Sequence, residues 1–195
     1  MTHIESTADV SVQATIGSDA SIWHLAQVRE GASIGSGCNI GRGAYIGPEV
    51  VLGRNCKIQN YALIYEPARL ADGVFIGPAA VLTNDLFPRA VNVDGSLKDG
   101  DDWDCMGVEI GEGASVGARA VCIAPMTIGP WAMIAAGAVV SKDVPAHALM
   151  VGIPARQIGW VGKSGRRLLP EGDHWTCPAT GEQYRIDAEQ LTAVG

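Results

Sequence analysis

The candidate proton acceptors in this 195-residue chain are, by residue type, His24, Glu66 and Asp85. A side chain of this kind removes the proton from an amine or hydroxyl while the amine or hydroxyl attacks a carbonyl carbon. The chain has four histidines in all, and none is paired with another at short spacing. A metal-dependent hydrolyase would need three histidines facing one cleft, so the sequence favours proton transfer without a metal.

Charge and cysteine usage exclude several classes of protein. The formal net charge is −7, which argues against non-specific binding to the phosphates of nucleic acids. Five cysteines, an odd number without a CxxC pair, predict a reduced, cytoplasmic compartment. The first ten residues contain no apolar signal region. Residues 120–141 carry no charge, but their prolines and glycines and the repeat described next explain them better than a membrane span.

An aliphatic residue recurs at every sixth position. In most repeats a small residue such as Ala or Cys follows four positions after the aliphatic residue. The pattern breaks after Leu82 and resumes at Ile110. Glycine often stands one or three places after the aliphatic residue, which we attribute to turn conformations. The aliphatic positions are Ile4, Val10, Ile16, Ile22, Val28, Ile34, Ile40, Ile46, Leu52, Ile58, Ile64, Leu70, Ile76, Leu82, and then Ile110, Val116, Cys122, Ile128, Ile134 and Val140.

A period of six fits neither an amphipathic helix nor an alternating strand. It fits a three-sided coil of short strands, with the aliphatic residue pointing inward and the small residue near each corner. The sequence therefore predicts an all-β fold, a parallel β-helix of roughly six to seven coils of about 18 residues each. Flat faces along such a solenoid favour association, and we expect a homotrimer.

Two regions depart from the repeat. Residues 83–107, rich in Asp, Gly and Asn, form a long loop inside the predicted solenoid of residues 1–146, and such a loop is usually functional. Residues 147–195 are expected to form a C-terminal extension with a return segment and a small polar appendix. Asp187 is predicted to begin a short helix that ends at Val194.

The segment VVSKDVPAHALMVGIPAR, residues 139–156, resembles the ending of hexapeptide-repeat acyltransferases. This resemblance implies the left-handed form of the β-helix and acetyl-CoA as co-substrate, bound in a groove between neighbouring coils. Lys142 and Arg156 match the cations that approach its phosphates, for which both side chains are suited. Ala118 and Ala136 match the positions whose backbone contacts the cofactor.

Longer segments are similar to nucleotide-sugar N-acetyltransferases that act on 3-amino sugars. The most specific are IQN-x4-IYE and VFIGP…TNDLFPRA, and the resemblance extends over nearly all of residues 4–184. The relatives acetylate UDP-2-acetamido-3-amino-2,3-dideoxy-glucuronate or dTDP-3-amino-3,6-dideoxyhexoses. The resemblance thus implies acetyl transfer to the 3-amino group of a nucleotide-linked sugar, in the synthesis of cell-surface polysaccharide or a related glycan.

Individual roles follow from the matched motifs. Asn84 would lie beside the acceptor amine and the thioester, and Arg89 would approach an anionic part of the sugar nucleotide. Tyr65 and Glu66 would line the same cleft, with Asn60 as a further substrate contact. Since the resemblance implies positioning more than a dedicated base, Asn84 is the main catalytic candidate, and His24 is retained beside it on its residue type.

The sequence also departs from these relatives. Gln27 stands where they often have His, and Gly111 and Glu112 stand near a basic position, which bears on the sugar carboxylate or phosphate that is recognised. Some relatives carry two zinc knuckles in the appendix. At the corresponding positions this sequence reads GKSG and CPATG, and Cys177 is the only cysteine there. Because one thiol cannot build a tetrahedral zinc site, no metal is expected.

Other functions remain open. The same scaffold could acetylate a sugar hydroxyl, a 4-amino sugar or serine, or could serve as a non-catalytic binding protein. The O-acetyl and 4-amino enzymes of the superfamily rely on a histidine in the late coils, and residues 110–144 contain none. Lattice-binding β-helices display rows of Thr on a flat face, and no such row is present. The sequence does not distinguish uridine from thymidine or indicate whether the sugar has a C6 carboxylate.

Overall fold

The computed structural model describes residues 1–187 and 190–194, and this part of the chain contains strands and turns but no helix, so no helix is present that could cross a membrane. The strands are short because each coil turns a corner after every one. In chain order, β1 to β26 are His3–Ile4, Asp9–Val10, Thr15–Ile16, Ser21–Ile22, Gln27–Val28, Ser33–Ile34, Asn39–Ile40, Tyr45–Ile46, Val51–Leu52, Lys57–Ile58, Leu63–Ile64, Arg69–Leu70, Phe75–Ile76, Val81–Leu82, Val108–Ile110, Ser115–Val116, Val121–Cys122, Met126–Ile128, Met133–Ile134, Val139–Val140, Ala148–Val151, Arg156–Trp160, Leu169–Glu171, His174–Thr176, Gln183–Asp187 and Gln190–Ala193.

Three parallel sheets form the sides of a left-handed β-helix, as predicted. Face A contains β1-β4-β7-β10-β13-β16-β19-β21 with β22 at its end, face B contains β2-β5-β8-β11-β14-β17-β20, and face C contains β3-β6-β9-β12-β15-β18. Residues 18 positions apart pair in register, for example Ser21 with Asn39 and Ile22 with Ile40. The solenoid has about eight turns, slightly more than predicted, because β21 adds a further rung to face A after the last aliphatic repeat.

The core is a column of aliphatic side chains along the axis. Ile22, Ile40 and Ile58 are fully buried, as are most of the small residues near the corners, including Cys38 and Cys56. The first coil closes the column incompletely, since Ile4 remains 45% exposed. The inward aliphatic and small positions are therefore the ones that the six-residue repeat predicted.

The two kinds of repeat glycine have different causes. Gly37 has a φ of 70°, the left-handed conformation expected for a turn. Gly35, directly after an inward Ile, is instead required by close approach, because a Cβ there would lie 2.2 Å from the carbonyl oxygen of Gly53 in the next coil. The turn explanation was thus incomplete, since glycine after the aliphatic residue lets successive coils stack.

The 83–107 segment leaves the solenoid between β14 and β15 as one extruded loop, as predicted. Its own side chains hold it together. The Asp102 carboxylate accepts hydrogen bonds from the Asn92 amide and from the Asp99 backbone N–H, each at 3.0 Å. These bonds lower the pKa of Asp102, with the backbone bond as the larger cause. The loop therefore has a defined internal structure.

The C-terminal appendix is a four-stranded antiparallel sheet, β23-β24-β25-β26. The predicted final helix from Asp187 to Val194 is wrong, because β25 pairs with β26 and Tyr184 lies opposite Ala193; residues 188 and 189 of that segment lie outside the described residues. The hairpin lets Tyr184 become fully buried, and this tertiary packing overrides the local cap signal. In the same unit the Cys177 Sγ lies 3.0 Å from the Ser164 hydroxyl.

His147 joins the appendix to the end of the solenoid. It is 7% exposed, its Nδ1–H donates to the carbonyl of Val161 at 2.8 Å, and its ring meets Tyr184 with centroids 5.2 Å apart. Burial lowers the pKa of His147 below its ordinary value. The fold therefore favours the neutral imidazole.

We predict that Gly35→Ala destabilises the solenoid, because the new methyl group forces two coils apart. The expected loss is about 1–3 kcal/mol of unfolding free energy, as for other overpacked sites. Gly100→Ala in the loop, where nothing lies within 4 Å of a new Cβ, is the control and should unfold like the wild type. Urea unfolding followed by circular dichroism measures both, and equal midpoints for all three proteins would contradict the stacking argument.

A second prediction concerns pH. Because the folded pKa of His147 is depressed, the unfolded chain binds the proton first, so stability is complete above about pH 6.5 and declines as pH falls below it. His147→Asn keeps an N–H donor and a residue that tolerates the φ of 62° at this position, but does not titrate. Melting temperatures between pH 8 and pH 5 should fall less steeply for the variant, and parallel slopes would exclude His147 as the source.

Candidate functional site

Two corners of the prism border face B, and stacking determines which residues line each. The first edge, between faces A and B, holds residues 24, 42, 60, 78, 118 and 136, linked by backbone hydrogen bonds such as Ala79 N–H to the Asn60 carbonyl at 3.0 Å. The second edge, between faces B and C, holds residues 30, 48, 66, 84, 124 and 142. This second set follows from the register of face B, in which Ile64 pairs with Leu82, and the same alignment continues into β17 and β20.

Three of the predicted site residues meet at the second edge. Glu66 and Asn84 occupy neighbouring rungs, and Tyr65 precedes Glu66. The ring of Tyr65 packs against Tyr45 with centroids 5.2 Å apart and an interplanar angle of 49°. The Asn84 Nδ2 donates to the Sγ of Cys105 at 4.0 Å, and the Cys105 thiol donates to the backbone carbonyl of Glu66 at 3.5 Å. These five residues form what we call the edge cluster.

The edge cluster carries an unpaired carboxylate oxygen. Glu66 is partly buried, and its Oε2 is shielded from solvent without a hydrogen-bond partner among the described residues. This oxygen lies over Gly47, where a Cβ would come within 2.4 Å of it. The pKa of Tyr45 is raised by burial and then by the charge of Glu66, and the pKa of Cys105 is raised by the same two causes in the same order. Both shifts favour the protonated, neutral forms of Tyr45 and Cys105 beside Glu66.

Both ends of the 83–107 loop are fixed at this edge. At its start, the Thr83 hydroxyl accepts a hydrogen bond from the Ala124 N–H at 3.0 Å. At its end, Gly107 packs on Pro67, and a Cβ there would lie 3.1 Å from the Pro67 carbonyl oxygen. The loop therefore delivers Asn84 and Cys105 to the cluster from its two opposite ends.

Four other predicted residues lie on the first edge. His24 Nδ1 is 2.9 Å from the Thr7 hydroxyl, and its Nε2 is 3.5 Å from a carboxylate oxygen of Glu5. The Asn60 side-chain oxygen accepts a hydrogen bond from the Arg42 N–H at 2.9 Å. His24 and Asn60 line one shallow recess, and Ala118 and Ala136 continue the same edge toward the C-terminal coils. Within one chain, face B separates these residues from the edge cluster.

The three possible proton acceptors now differ in their surroundings. The Asp85 carboxylate already accepts a hydrogen bond from the Phe87 N–H at 2.7 Å. His24 has its neighbours on the first edge. Glu66 is the acceptor that the structure places beside Asn84, with its buried oxygen free.

Arg89 lies apart from the cluster, out in the loop. Its Nη1 donates to the carbonyl of Pro88 at 2.9 Å, and its side chain is exposed. Together with Lys98 and Trp103 it lines an open recess of about 340 Å³. This recess offers two cations and an aromatic ring beside the acidic residues of the loop.

The predicted phosphate-binding cations share one cavity. Lys142 and Arg156 line a cavity of about 350 Å³ together with Asp143 and Gln157. The Asp143 carboxylate accepts a hydrogen bond from the Thr127 N–H at 2.8 Å, which fixes the turn that carries Lys142. Lys142 stands on the second edge, two rungs from Asn84. Within the described residues, no group of three His, Cys, Asp or Glu side chains is arranged to hold a metal ion.

Two members of the edge cluster were missed at the level of sequence. Tyr45 could have been found, because it occupies the outward position of β8, directly below the outward Leu63 of the next coil. Cys105 gave no such signal, because it lies outside the repeat and reaches the cluster only through closure of the loop. It is also the one exposed cysteine of the five.

Comparison with known proteins agrees with this fold. The profile described as "Bacterial transferase hexapeptide (six repeats)" matches residues 13–48, and "Hexapeptide repeat of succinyl-transferase" matches residues 107–142. Over 102 residues the chain is 36% identical to serine acetyltransferase 4 of Arabidopsis thaliana, covering 52% of this chain and 28% of that protein. Over 74 residues it is 39% identical to a dTDP-3-amino-3,6-dideoxy-alpha-D-galactopyranose 3-N-acetyltransferase of Aneurinibacillus thermoaerophilus, covering 38% of each.

A solved structure shows the same architecture. The acetyltransferase domain of PglB from Neisseria gonorrhoeae superimposes with a TM-score of 0.53 at 21% identity, covering 81% of this chain and 58% of that one. At this identity the likeness concerns the fold alone. The chain is thus a left-handed β-helix protein built from hexapeptide repeats. Two of its segments match hexapeptide-repeat transferase profiles, and the chain spans only about a third of the length of the curated relatives cited above.

Proposed function

We propose that the protein is an acetyl-CoA-dependent N-acetyltransferase that modifies the 3-amino group of a nucleotide-linked sugar, in the cytoplasm and in the synthesis of a surface polysaccharide or related glycan. The observation that carries this proposal is the meeting of Tyr65, Glu66 and Asn84 at one edge of the solenoid. These residues come from two separate motifs of the resembled 3-N-acetyltransferases. The similarity to a dTDP-3-amino-sugar N-acetyltransferase supports the same acceptor.

The arrangement of charges supports the two substrates. Lys142 and Arg156 in one cavity suit the phosphates of coenzyme A, and Arg89 with Lys98 suits the diphosphate of a sugar nucleotide. These local cations are needed because the net charge of the chain is −7. The edge cluster, with Glu66, lies on the same edge of the solenoid as Lys142.

Acyl transfer to an amine requires an oriented thioester and stabilisation of the developing oxyanion. The Asn84 amide is a suitable donor, because its only side-chain partner among the described residues is the weakly accepting Sγ of Cys105 at 4.0 Å. In our proposal the nitrogen forms a bond to the acetyl carbonyl carbon, the carbon–sulfur bond breaks, and the departing coenzyme A thiolate takes up a proton. Asn84 orients the thioester and donates to its oxygen.

The predicted donor contacts Ala118 and Ala136 lie on the opposite border of face B from Lys142. A homotrimer would resolve this separation, since the first edge of one copy could then lie against the second edge of its neighbour. The outward side chains of face B support such an association. From the third coil onward they form an apolar stripe, namely Tyr45, Leu63, Val81, Val121 and Val139.

Acetylation of a hydroxyl, as in the serine acetyltransferases, is the second candidate, because one of them is 36% identical over half of this chain. A hydroxyl is a poor nucleophile without a strong base held against it. No histidine occurs in residues 110–144, so the late coils supply no such base.

The activity is tested by incubating the protein and acetyl-CoA with UDP- and dTDP-linked 3-amino sugars, 4-amino sugars and serine, while free thiol is measured. We expect thiol release with a 3-amino sugar, and about a hundredfold or greater loss of rate for Asn84→Ala, as when one oxyanion donor is removed. Gln13→Ala, an exposed amide in the first coil, is the control and should retain the full rate.

Each contrary result has a distinct meaning. Turnover of 4-amino sugars alone would overturn the regiochemistry, and turnover of serine alone would favour the second candidate. Thiol release by none of the acceptors would remove the support for an acetyltransferase. Full activity of Asn84→Ala would exclude Asn84 from the site.

The trimer is tested by placing a charge on the apolar stripe. Val121→Glu should convert the wild-type assembly, expected at about three times the 20.3 kDa chain mass, to a monomer, because a carboxylate is costly to bury in an apolar contact. Thr127→Glu, on the outward side of face C in the same coil, should leave the assembly intact. Light scattering after size-exclusion chromatography gives the masses, and a monomeric wild type would contradict the expectation.

A further inference from the structure

Glu66 presents a charge that the fold itself leaves uncompensated. Its Oε2 is shielded from solvent and has no hydrogen-bond partner among the described residues. A carboxylate in such a position costs free energy unless a donor or a cation meets it. The fold tolerates this arrangement at the centre of the edge cluster, which indicates that the partner comes from outside the chain.

The neighbours of Glu66 do not supply that partner in the structure. Tyr45 and Cys105 both have a raised pKa, to which the charge of Glu66 contributes after burial, so neither supplies a charge, and the Cys105 thiol donates to the Glu66 backbone carbonyl instead of the carboxylate. The nearby cation Arg29 is already paired with Glu30, at 3.1 Å between the guanidinium Nε and the carboxylate. The rings of Tyr45 and Tyr65 pack together beside Glu66, and an aromatic ring also attracts a cation through a cation–π interaction.

We infer that the Glu66 carboxylate is the subsite that receives the acceptor amine in its protonated form and then takes its proton. This inference rests on the proposed function, in which the acceptor is an amino sugar. An ammonium group offers three N–H donors and a positive charge to one carboxylate, whereas a divalent metal would need several oxygen ligands. Asn84 stands on the next rung, so the amine held by Glu66 lies beside the group that orients the thioester.

The proton balance of the reaction is complete with these groups. The ammonium transfers one proton to the Glu66 carboxylate and becomes a neutral amine with a free electron pair. That pair forms the bond to the acetyl carbon as the carbon–sulfur bond breaks. The nitrogen's second proton passes to the coenzyme A thiolate, and Glu66 returns its proton to solvent after the product leaves.

The inference predicts that Glu66 contributes to binding through the amino group of the acceptor and not through the rest of the nucleotide sugar. Binding is measured by calorimetry, without acetyl-CoA, for a dTDP-3-amino-3,6-dideoxyhexose and for its 3-hydroxy counterpart. Wild-type protein should bind the amino compound on the order of ten- to a hundredfold more tightly, the range of a charged hydrogen bond. Glu66→Gln keeps the shape of the side chain but removes its charge. The variant should bind the amino compound only about as tightly as the hydroxy compound, and its affinity for the hydroxy compound should be nearly that of the wild type.

Controls separate this inference from the broader proposal. Glu109→Gln, an exposed carboxylate on the outward side of face C, should retain the wild-type preference. Circular dichroism melting verifies that Glu66→Gln is folded. If both sugars bind but the preference survives in Glu66→Gln, the inference is wrong and the proposed function stands. If neither sugar binds the wild type, nor their UDP-linked equivalents, the proposed function fails with it.

Discussion

The structure depends on the close contact between one coil and the next. Backbone hydrogen bonds between parallel strands hold the coils about 4.8 Å apart, and at some corners only glycine leaves room for the backbone of the next coil. At Gly35 a side chain would meet the backbone of the next coil. Each coil has three sides of six residues, and this period of 18 decides which side chains stack at each corner.

Stacking converts distance along the chain into position along an edge. Glu66 and Asn84 are 18 residues apart and occupy adjacent rungs, and Lys142 reaches the same edge once the 83–107 loop is left out of the count. The insertion keeps the register of the solenoid intact because its two ends meet beside Pro67 and Ala124. The loop can therefore bring side chains to the edge without disturbing the core.

The sequence contained enough information for the solenoid, because each aliphatic repeat points to the same interior column. The same period places Glu66 below Asn84 and would have brought Tyr45 into the cluster. Cys105 could not be placed, since its position depends on how the loop closes. The C-terminal hairpin was missed because Asp187 offered a helix cap, whereas the burial of Tyr184 against His147 depends on contacts distant in sequence.

The electrostatics of the edge give the two substrates different requirements. Phosphate groups need the cations near the end of the solenoid and in the loop, where Lys142, Arg156 and Arg89 are exposed or line open cavities. In the proposed reaction the amine needs the opposite sign, which Glu66 would supply in a partly buried position where solvent screens the charge less. An acceptor with a cationic amino group on the sugar and an anionic nucleoside diphosphate would satisfy both electrostatic requirements. A sugar hydroxyl would leave the Glu66 carboxylate without a cationic partner, and this difference underlies the proposal of an amino sugar over a sugar hydroxyl.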